Sequence, residues 1–495
     1  MRGKLLFGMS LATVVATVAG LITACGGGQS TALRWCPTIP GHEVSCGVLS
    51  RPVVVDRPDL GDLEVSYALV RHSRRDAPAA ATIVPNPGGP GGPMIDQAAP
   101  TMKLVETMLD DHDLLLIDPR GTGLSGPLDC GIGDERPELE TRDQQRQLVA
   151  RCGERLGARA AGYTSAATAD DFDAVRDRLG IPKLVLYGLS YGAYLMPIYA
   201  QRHPDHVQSI VLSGAYPIDF DPLSRPSAEA VSLTLHRICE RSRACDGDTA
   251  VADLTATAAR LRIQPITRDG PRPLELTEAK LADLIYETAS GGVGWDPTAR
   301  TPLGMVPTAL HNAVRGDDSA LWEFVDATTA SPEGGDDALG TAVVCNDYAT
   351  VWSPDVPPAQ RDLRYRQALA ATAPGEFGAF SAAGFDEALS DGGDLCIRWP
   401  NSGTAQPHSN GMPDVPVLVL SGDLDANTPD ANGRAAAAQF RRATFVSVPN
   451  TGHVPGLEPS GCVTGIVSRF IRTASPGDLS CLNSLPPIAV TPVRN

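Results

Sequence analysis

The stretch L-V-L-Y-G-L-S-Y-G, residues 184–192, sets the pattern for much of the chain. It opens with a continuous apolar run of the length of a buried strand, and the residues after Ser190 read Y-G-A-Y-L-M-P-I-Y-A, which favours a helix. Glycines at 188 and 192 leave room for a strained turn between the two elements. The sequence predicts a strand, a sharp turn with Ser190 at its tip, and a helix over residues 190–202.

Other apolar runs repeat this strand pattern, and each ends in a polar or glycine-rich turn: 81–85, 113–118 and 209–214. Helical segments alternate with them, at 101–110, 143–157 and 168–179. Such alternation predicts an α/β fold with a mostly parallel sheet and helices on both faces. Ahead of these runs, residues 48–55 and 63–70 alternate apolar and polar side chains, which predicts a β-hairpin.

The alternation of predicted strands and helices stops after residue 216. Four segments then have helical patterns: 226–243, 277–289, 303–315 and 360–373. The strand pattern returns at 416–423 and 443–450, and a helix is predicted at 461–472. We therefore predict an α/β core in two parts, 35–216 and 413–495, interrupted by a helical cap at 217–412.

Bulk composition limits the classes of partner. The net charge is −17 and the pI is near 4.9, which argues against nucleic acid as a ligand, because nucleic acid attracts clustered Lys and Arg. A hydrophobic fraction of 42% and a charged fraction of 20% fit a globular protein. The sequence leaves the oligomeric state open, with a monomer favoured.

The N-terminus has the features of a targeting segment. Arg2 and Lys4 precede an uncharged stretch, Leu5 to Ala24, which ends in L-I-T-A-C. This junction resembles a bacterial lipobox, which implies a signal peptide at 1–24, a palmitate-type lipid on Cys25 and a flexible tether at 25–34. The alternative is a membrane-spanning anchor. Both interpretations put the folded part on the extracytoplasmic face of the cell membrane.

Cysteine usage fits the same compartment. Of eleven cysteines, ten remain once Cys25 is set aside, an even number that is plausible for disulfides in an oxidising envelope. Pairing neighbours predicts five bridges: Cys36 with Cys46, Cys130 with Cys152, Cys239 with Cys245, Cys345 with Cys396, and Cys462 with Cys481. No C-x-x-C or H-E-x-x-H motif occurs, and R-H-P-D-H at 202–206 resembles a helix end more than a ligand set, so we expect no metal and no cofactor.

Ser190 needs a base to become a nucleophile. G-x-S-x-G between a strand and a helix is typical of the nucleophile elbow of α/β-hydrolases, in which an acid and then a histidine follow the serine in the chain. Beyond the strand at 416–423 the chain holds one histidine, His453, because His408 comes before it. His453 is the predicted base.

The acid should follow the same strand, in S-G-D-L-D-A-N-T-P. Asp423 and Asp425 compete for the role. Asp425 is favoured because it lies in the loop, where a carboxylate can meet an imidazole, whereas Asp423 lies at the strand end. Asp118 precedes Ser190 and fails the order of the residues.

An oxyanion hole needs two backbone N–H groups. Tyr191, directly after the nucleophile, should supply one. The loop P-N-P-G-G-P-G-G at 85–92 should supply the other, with Gly89 as first choice and Gly88 as second. A phosphate-binding loop is the rival interpretation, but no Lys-Ser or Lys-Thr follows it.

Together, N-P-G-G-P-G-G, D-P-R-G-T-G-L-S, G-L-S-Y-G, G-D-L-D-A-N-T-P and G-H resemble the secreted bacterial tripeptidyl-aminopeptidase family. That family belongs to the α/β-hydrolases, near the proline iminopeptidases and envelope carboxylesterases, and the likeness runs from Trp35 to Cys481. It implies an α/β-hydrolase fold with a large helical cap, and Ser190, Asp425 and His453 as nucleophile, acid and base. One departure concerns Asn86 and Pro87, because proline iminopeptidases have His before G-G-P-G.

The resemblance implies a serine peptidase that releases short peptides from free N-termini, with the cap restricting access. An exopeptidase usually needs an acid for the substrate ammonium group, and Asp347 in C-N-D-Y is the candidate, although it could instead cap a helix. Two alternatives are a carboxylesterase acting on envelope or lipid esters, and a lipoprotein of this fold kept for binding alone. The complete Ser, Asp and His set argues against the binding protein.

Overall fold

A computed structural model describes residues 33–131, 141–269, 274–329, 338–353, 355–400 and 411–494. The predicted signal peptide, the predicted lipidation site Cys25 and most of the predicted tether lie outside these residues. All the elements described below belong to the unit Cys36–Asn495. None of the helices in the described residues is long and apolar enough to cross a membrane.

The strands of the described chain are β1 (Val44–Pro52), β2 (Asp62–Val70), β3 (Ala81–Asn86), β4 (His112–Ile117), β5 (Leu184–Leu189), β6 (Val207–Ser213), β7 (Ile266–Arg268), β8 (Leu274–Leu276), β9 (Val417–Gly422) and β10 (Ala443–Val448). Eight of them form one sheet in the order β1-β2-β4-β3-β5-β6-β9-β10. From β4 to β10 all neighbours are parallel, and the β1–β2 hairpin adds antiparallel strands at one edge. The predicted α/β-hydrolase fold with a mostly parallel sheet is thus confirmed.

The helices are α1 (Ala98–Val105), α2 (Arg142–Leu156), α3 (Ser165–Arg178), α4 (Gly192–Arg202), α5 (Arg225–Ser242), α6 (Gly247–Ile263), α7 (Glu278–Ser290), α8 (Val306–Val314), α9 (Ser319–Thr329), α10 (Ala338–Asp347), α11 (Pro358–Ala370), α12 (Ala382–Asp386), α13 (Asp430–Ala438) and α14 (Cys462–Thr473). Every residue of β3, β4, β5 and β9 is buried. Burial on both faces explains why these strands are continuous apolar runs rather than alternating ones.

Helices α5 to α12 lie between β6 and β9 in the chain, and we call this segment the cap. Helices α5 to α9 and α12 form a second hydrophobic core, to which the loop after β9 contributes Leu424 and Ala426. Helices α10 and α11 pack instead into the hydrophobic core of the sheet. The sequence patterns missed four of its helices, α6, α9, α10 and α12, and the short β7–β8 hairpin.

Five disulfides join neighbouring cysteines: Cys36–Cys46, Cys130–Cys152, Cys239–Cys245, Cys345–Cys396 and Cys462–Cys481. The Cys345–Cys396 bridge covalently links α10 to the segment between α12 and β9.

A buried ion pair connects the loop after β4 to helix α3. Arg120, in D-P-R-G-T-G-L-S, donates two hydrogen bonds of 2.8 Å to Asp171 of α3, and two more to the carbonyl groups of Val53 and Gly162. Both side chains of the pair are at most 2% exposed. A desolvated pair of this kind is stable only when its remaining donors are also satisfied, as they are at Arg120.

Candidate active site

Ser190 lies in a backbone conformation that few residues adopt. Its φ is 55°, in the left-handed region, between the end of β5 and the start of α4. The turn closes so tightly that a Cβ atom at Gly188 would lie 2.2 Å from the carbonyl oxygen of Gly192, and one at Gly192 would lie 2.4 Å from that of Asn86. Glycine is therefore required at both positions, and the strained serine is presented at the tip of the turn.

His453 approaches this turn from the loop after β10. Ser190 N–H donates to the carbonyl of Ser213 at 2.9 Å, and a Cβ atom at Gly214 would lie 3.0 Å from Nδ1 of His453. The serine and the imidazole thus border the same two residues at the end of β6. Nε2 of His453 is buried and has no hydrogen-bond partner among the described residues.

Asp425 is the carboxylate that contacts this histidine. Its Oδ2 lies 2.8 Å from Nδ1 of His453 and accepts a hydrogen bond of 2.6 Å from the Thr428 hydroxyl, while Oδ1 accepts the N–H of Asn427 at 2.8 Å. The carboxylate is fully buried. Because Nδ1 donates to Asp425, Nε2 is the ring nitrogen that can accept a proton.

Asp423, the competing acid, has different partners. Its carboxylate pairs with Arg241 of α5 at 2.5 Å and accepts the N–H of Asn450 at 2.8 Å. The structure therefore brings Asp425, and not Asp423, to the imidazole.

Two opposing effects act on the base. Burial lowers the pKa of His453, but the charge of Asp425 and the hydrogen bond to it raise that pKa, and the net result is a pKa above the ordinary 6.5. The negative charges of Glu287 and Asp391 act in the same direction as Asp425.

The glycine-rich loop after β3 lies directly over the turn. A Cβ atom at Gly88 would be 2.7 Å from Cβ of Ser190 and 3.1 Å from the backbone nitrogen of Tyr191. Gly88 N–H donates to the side chain of Asn86. In the described part of the chain, the N–H groups of Gly89 and Tyr191 donate to no other protein group. The two predicted oxyanion donors, Gly89 N–H and Tyr191 N–H, are thus unengaged, whereas Gly88 N–H, the second choice, is not.

Asp118, excluded from the catalytic set by its place in the chain, has a scaffolding role. Its Oδ1 accepts the N–H groups of Met94 and Ile95, each at 2.7 Å, and Oδ2 accepts that of Leu124 at 2.8 Å. Burial nevertheless raises the pKa of this carboxyl. Thr122 in the same motif donates to the carbonyl of Gly91. The motif D-P-R-G-T-G-L-S therefore fixes the backbone of the glycine-rich loop and of the residues that follow it.

The cap holds the histidine loop, which no sequence motif indicated. His453 N–H donates to the carbonyl of Ser290 at 2.9 Å, and Gly452 N–H donates to that of Val293 at 3.0 Å. The indole of Trp295 donates to the carbonyl of Val454 at 3.2 Å. The end of α7 and the residues after it therefore fix the backbone on both sides of the base.

Asp347, the proposed ammonium-binding acid, lies at the end of α10 beside the first turn of α3. Its Oδ2 accepts the N–H of Ser165 at 2.5 Å and the Ser165 hydroxyl at 2.6 Å. That hydroxyl also contacts the Tyr191 hydroxyl at 2.8 Å. A capping contact is thus present, and its tyrosine partner belongs to the turn that carries Ser190.

The described residues contain one group with metal-ligand geometry, Asp173 with His203 and His206, whose ligand atoms lie within 4.8 Å of one another. Asp173 already accepts hydrogen bonds from Arg176, Tyr199 and His206. A guanidinium group on the only carboxylate opposes the binding of a cation there.

Two protein-family models match the chain. The model for the alpha/beta hydrolase fold matches residues 81–240, and the model for TAP-like proteins matches residues 381–481. The first match contains the glycine-rich loop and Ser190, and the second contains Asp425 and His453.

Relatives match over most of the chain. Serine protease Hip1 of Mycobacterium tuberculosis is 24% identical, over 96% of this chain and 97% of its own length. Putative hydrolase YuaR of Escherichia coli is 25% identical, over 93% and 95%. Tripeptidyl aminopeptidase of Streptomyces coelicolor is 24% identical, over 88% and 83%. The chain is thus a serine hydrolase of the α/β-hydrolase fold, related to the bacterial tripeptidyl aminopeptidases.

Proposed function

We propose that the protein is an extracytoplasmic peptidase that releases short peptides from free N-termini with a triad of Ser190, Asp425 and His453. The observation that carries this proposal is the 2.8 Å contact between Asp425 and Nδ1 of His453, with Nε2 unpartnered at the turn that presents Ser190.

Each group has a step in the reaction. Nε2 of His453 takes the proton of the Ser190 hydroxyl, and Oγ attacks the substrate carbonyl carbon. The oxyanion that forms accepts hydrogen bonds from Gly89 and Tyr191 N–H. His453 then returns the proton to the leaving amine, and a water molecule deprotonated by His453 hydrolyses the acyl-enzyme. Asp425 keeps the imidazole in one tautomer and stabilises its charged form.

A peptide with a free amine fits the charges around the base. Besides Asp425, the carboxylates of Glu287 and Asp391 raise the pKa of His453, so the surroundings of the base favour positive charge. Relatives named serine protease and tripeptidyl aminopeptidase favour a peptide substrate. Asp347 remains our candidate for the ammonium group, because its hydrogen-bonded chain reaches Tyr191.

Two features support the proposed location: the lipobox-like junction at Cys25, and ten further cysteines in five disulfides, which suit an oxidising compartment. We expect wild-type protein expressed with its leader to partition into the membrane fraction and a Cys25→Ser variant to lose the lipid and leave it. Immunoblots of the fractions and mass spectrometry of the N-terminal peptide measure this. Unchanged membrane association of Cys25→Ser would favour an uncleaved anchor.

Substrate class is tested with the chain from Gly26 onward, made under oxidising conditions. We expect hydrolysis of a fluorogenic tripeptide amide with a free amine, and loss of about 10²-fold or more in kcat/KM when the amine is blocked, because the acid that binds the ammonium group then loses its cation.

Ser190→Ala is the control for contaminating activity. A short acyl ester forms the third arm: turnover of the ester without any amide cleavage would overturn the peptidase proposal in favour of an envelope esterase. Asp347→Asn should raise KM for the free-amine peptide and leave KM for the ester unchanged, and equal effects on both would assign Asp347 to the structure alone.

The two competing acids form a matched pair of variants. Asp425→Asn should lower kcat by about 10⁴-fold, since the histidine then loses its partner for the reactive tautomer. Asp423→Asn should lower the melting temperature by weakening the pair with Arg241 while kcat stays within about threefold, because this carboxylate does not touch the imidazole. Steady-state kinetics and thermal unfolding measure both, and similar losses of kcat in the two variants would contradict the assignment of Asp425.

The pH dependence follows from the pKa of the base. His453 must be neutral to take the serine proton, so kcat/KM should fall as the pH drops through its pKa, with a midpoint above 6.5. The profile is measured with a substrate that has no titrating group in this range. A midpoint below 6.5 would mean that burial, which lowers the pKa, outweighs the Asp425 charge.

A further inference from the structure

Asn86 stands where the glycine-rich loop leaves the sheet. It is the last residue of β3, it is 0% exposed, and its Oδ1 accepts the N–H of Gly88 at 3.2 Å. The donor is a backbone N–H, so the atom facing it must be the amide oxygen, and the other end of the amide is the Nδ2 group. Nδ2 is buried and has no hydrogen-bond partner among the described residues.

The backbone of Asn86 is packed into the base of the serine turn. Its carbonyl oxygen would be 2.4 Å from a Cβ atom at Gly192, and its Oδ1 would be 3.0 Å from the same atom. Gly88, whose N–H the side chain holds, lies against Ser190 and Tyr191. One side chain therefore links the strand, the glycine-rich loop and the first residue of α4.

This hydrogen bond distinguishes Gly88 from Gly89, the two candidate oxyanion donors of the loop. Gly88 has a φ of 99° and Gly89 a φ of 108°, conformations that glycine adopts without the strain of a side chain and that leave the peptide groups free to reorient. Because Asn86 engages Gly88 N–H, this N–H is not available to an oxyanion and the peptide group ahead of Gly88 is fixed, which leaves Gly89 N–H as the donor of the pair. A fully buried side chain with an unsatisfied donor is costly, so packing alone does not account for an asparagine here.

We propose that Asn86 is a positioning residue for the oxyanion hole. Its Oδ1 holds the Gly88 peptide group so that Gly89 N–H and Tyr191 N–H face the same point beside Ser190 Oγ. The hole is part of the serine mechanism proposed above, and the inference rests on that mechanism but not on whether the substrate is a peptide or an ester.

The test compares Asn86→Ala with Asn346→Ala. Asn346 is a control asparagine outside the glycine-rich loop: its side chain is also hydrogen-bonded to the backbone, in this case by donating to the carbonyl groups of Ala160 and Tyr163. The readouts are kcat and KM for whichever substrate the wild type turns over best, the affinity for a peptidyl or alkyl boronic acid, and the melting temperature. The boronic acid forms a reversible bond from Ser190 Oγ to boron, with the serine proton passing to His453, and the adduct resembles the tetrahedral intermediate.

For Asn86→Ala we expect kcat to fall by about 10- to 100-fold, somewhat less than the loss of a whole oxyanion donor, with KM within about twofold. Affinity for the boronic acid should fall by a similar factor, since both depend on the tetrahedral geometry. Asn346→Ala should lower the melting temperature and leave kcat per folded molecule and boronate affinity unchanged.

A folded Asn86→Ala protein with wild-type kcat and boronate affinity would overturn the inference. If this variant does not fold, Asn86→Leu replaces it: a side chain of similar volume fills the buried position without an acceptor for Gly88 N–H, so kcat and boronate affinity should fall while KM does not, and unchanged values would again overturn the inference. The Ser190→Ala variant distinguishes failure of the proposed triad from failure of the role of Asn86. If Ser190→Ala stays active, the proposed triad fails; if it is inactive while Asn86→Ala keeps full kcat, only the role of Asn86 fails.

Discussion

The left-handed backbone of Ser190 is the constraint on which the site depends. A non-glycine residue costs roughly 1–2 kcal/mol in that region, so the surrounding structure must hold it there. The close stack of Gly188, Gly192 and Asn86 does so, because any side chain at either glycine would push β5, α4 and β3 apart. The strand order then completes the site: β3 and β6 flank β5, so the glycine-rich loop approaches Ser190 from one side and the end of β6, with His453 beside it, from the other.

The sequence predicted the sheet well and the cap poorly, for one physical reason. Strands buried on both faces are continuous apolar runs, and five of the predicted strands match β3, β4, β5, β6 and β9 within about two residues, the usual uncertainty of element ends. The cap helices that the sequence patterns missed have no clear division into an apolar face and a polar face. In α10, A-L-G-T-A-V-V-C-N-D, small and apolar residues occur on every side, and in α6 alanine and threonine alternate with charges, so no helical period stands out.

Within the site, residues with a fixed order along the chain could be named from sequence, and residues defined by their partners could not. Ser190, Asp425 and His453 follow from the order of strand, acid and base. The choice of Asp425 over Asp423 depended on loop position, and the structure adds the reason: Arg241, distant in sequence, occupies the other carboxylate. No sequence motif indicates the contact of Trp295 with the histidine loop, because its two partners lie 159 residues apart. None indicates the contact of Asn86 with Gly88 either, because it depends on the backbone conformation of Gly88.

The cap forms hydrogen bonds with the loops that carry both members of the proposed acid–base pair, Asp425 and His453. Tyr286 of α7 donates to the side chain of Asn427, two residues after Asp425, and Ser290 at the end of the same helix accepts the N–H of His453. From α5, Arg237 and Thr234 donate to the carbonyl groups of Asp423 and Leu424.

Ser190 is held mainly by the core, through Ser213, the glycine stack and the first turn of α4, where Ala193 N–H donates to its carbonyl. The Asp425 turn and the His453 loop are also tied to the sheet, because Asp423 N–H donates to the carbonyl of Val448 and Leu424 N–H donates to that of Thr451, each at 3.0 Å. The position of the imidazole relative to Ser190 therefore depends on the cap and on the ends of β9 and β10 together.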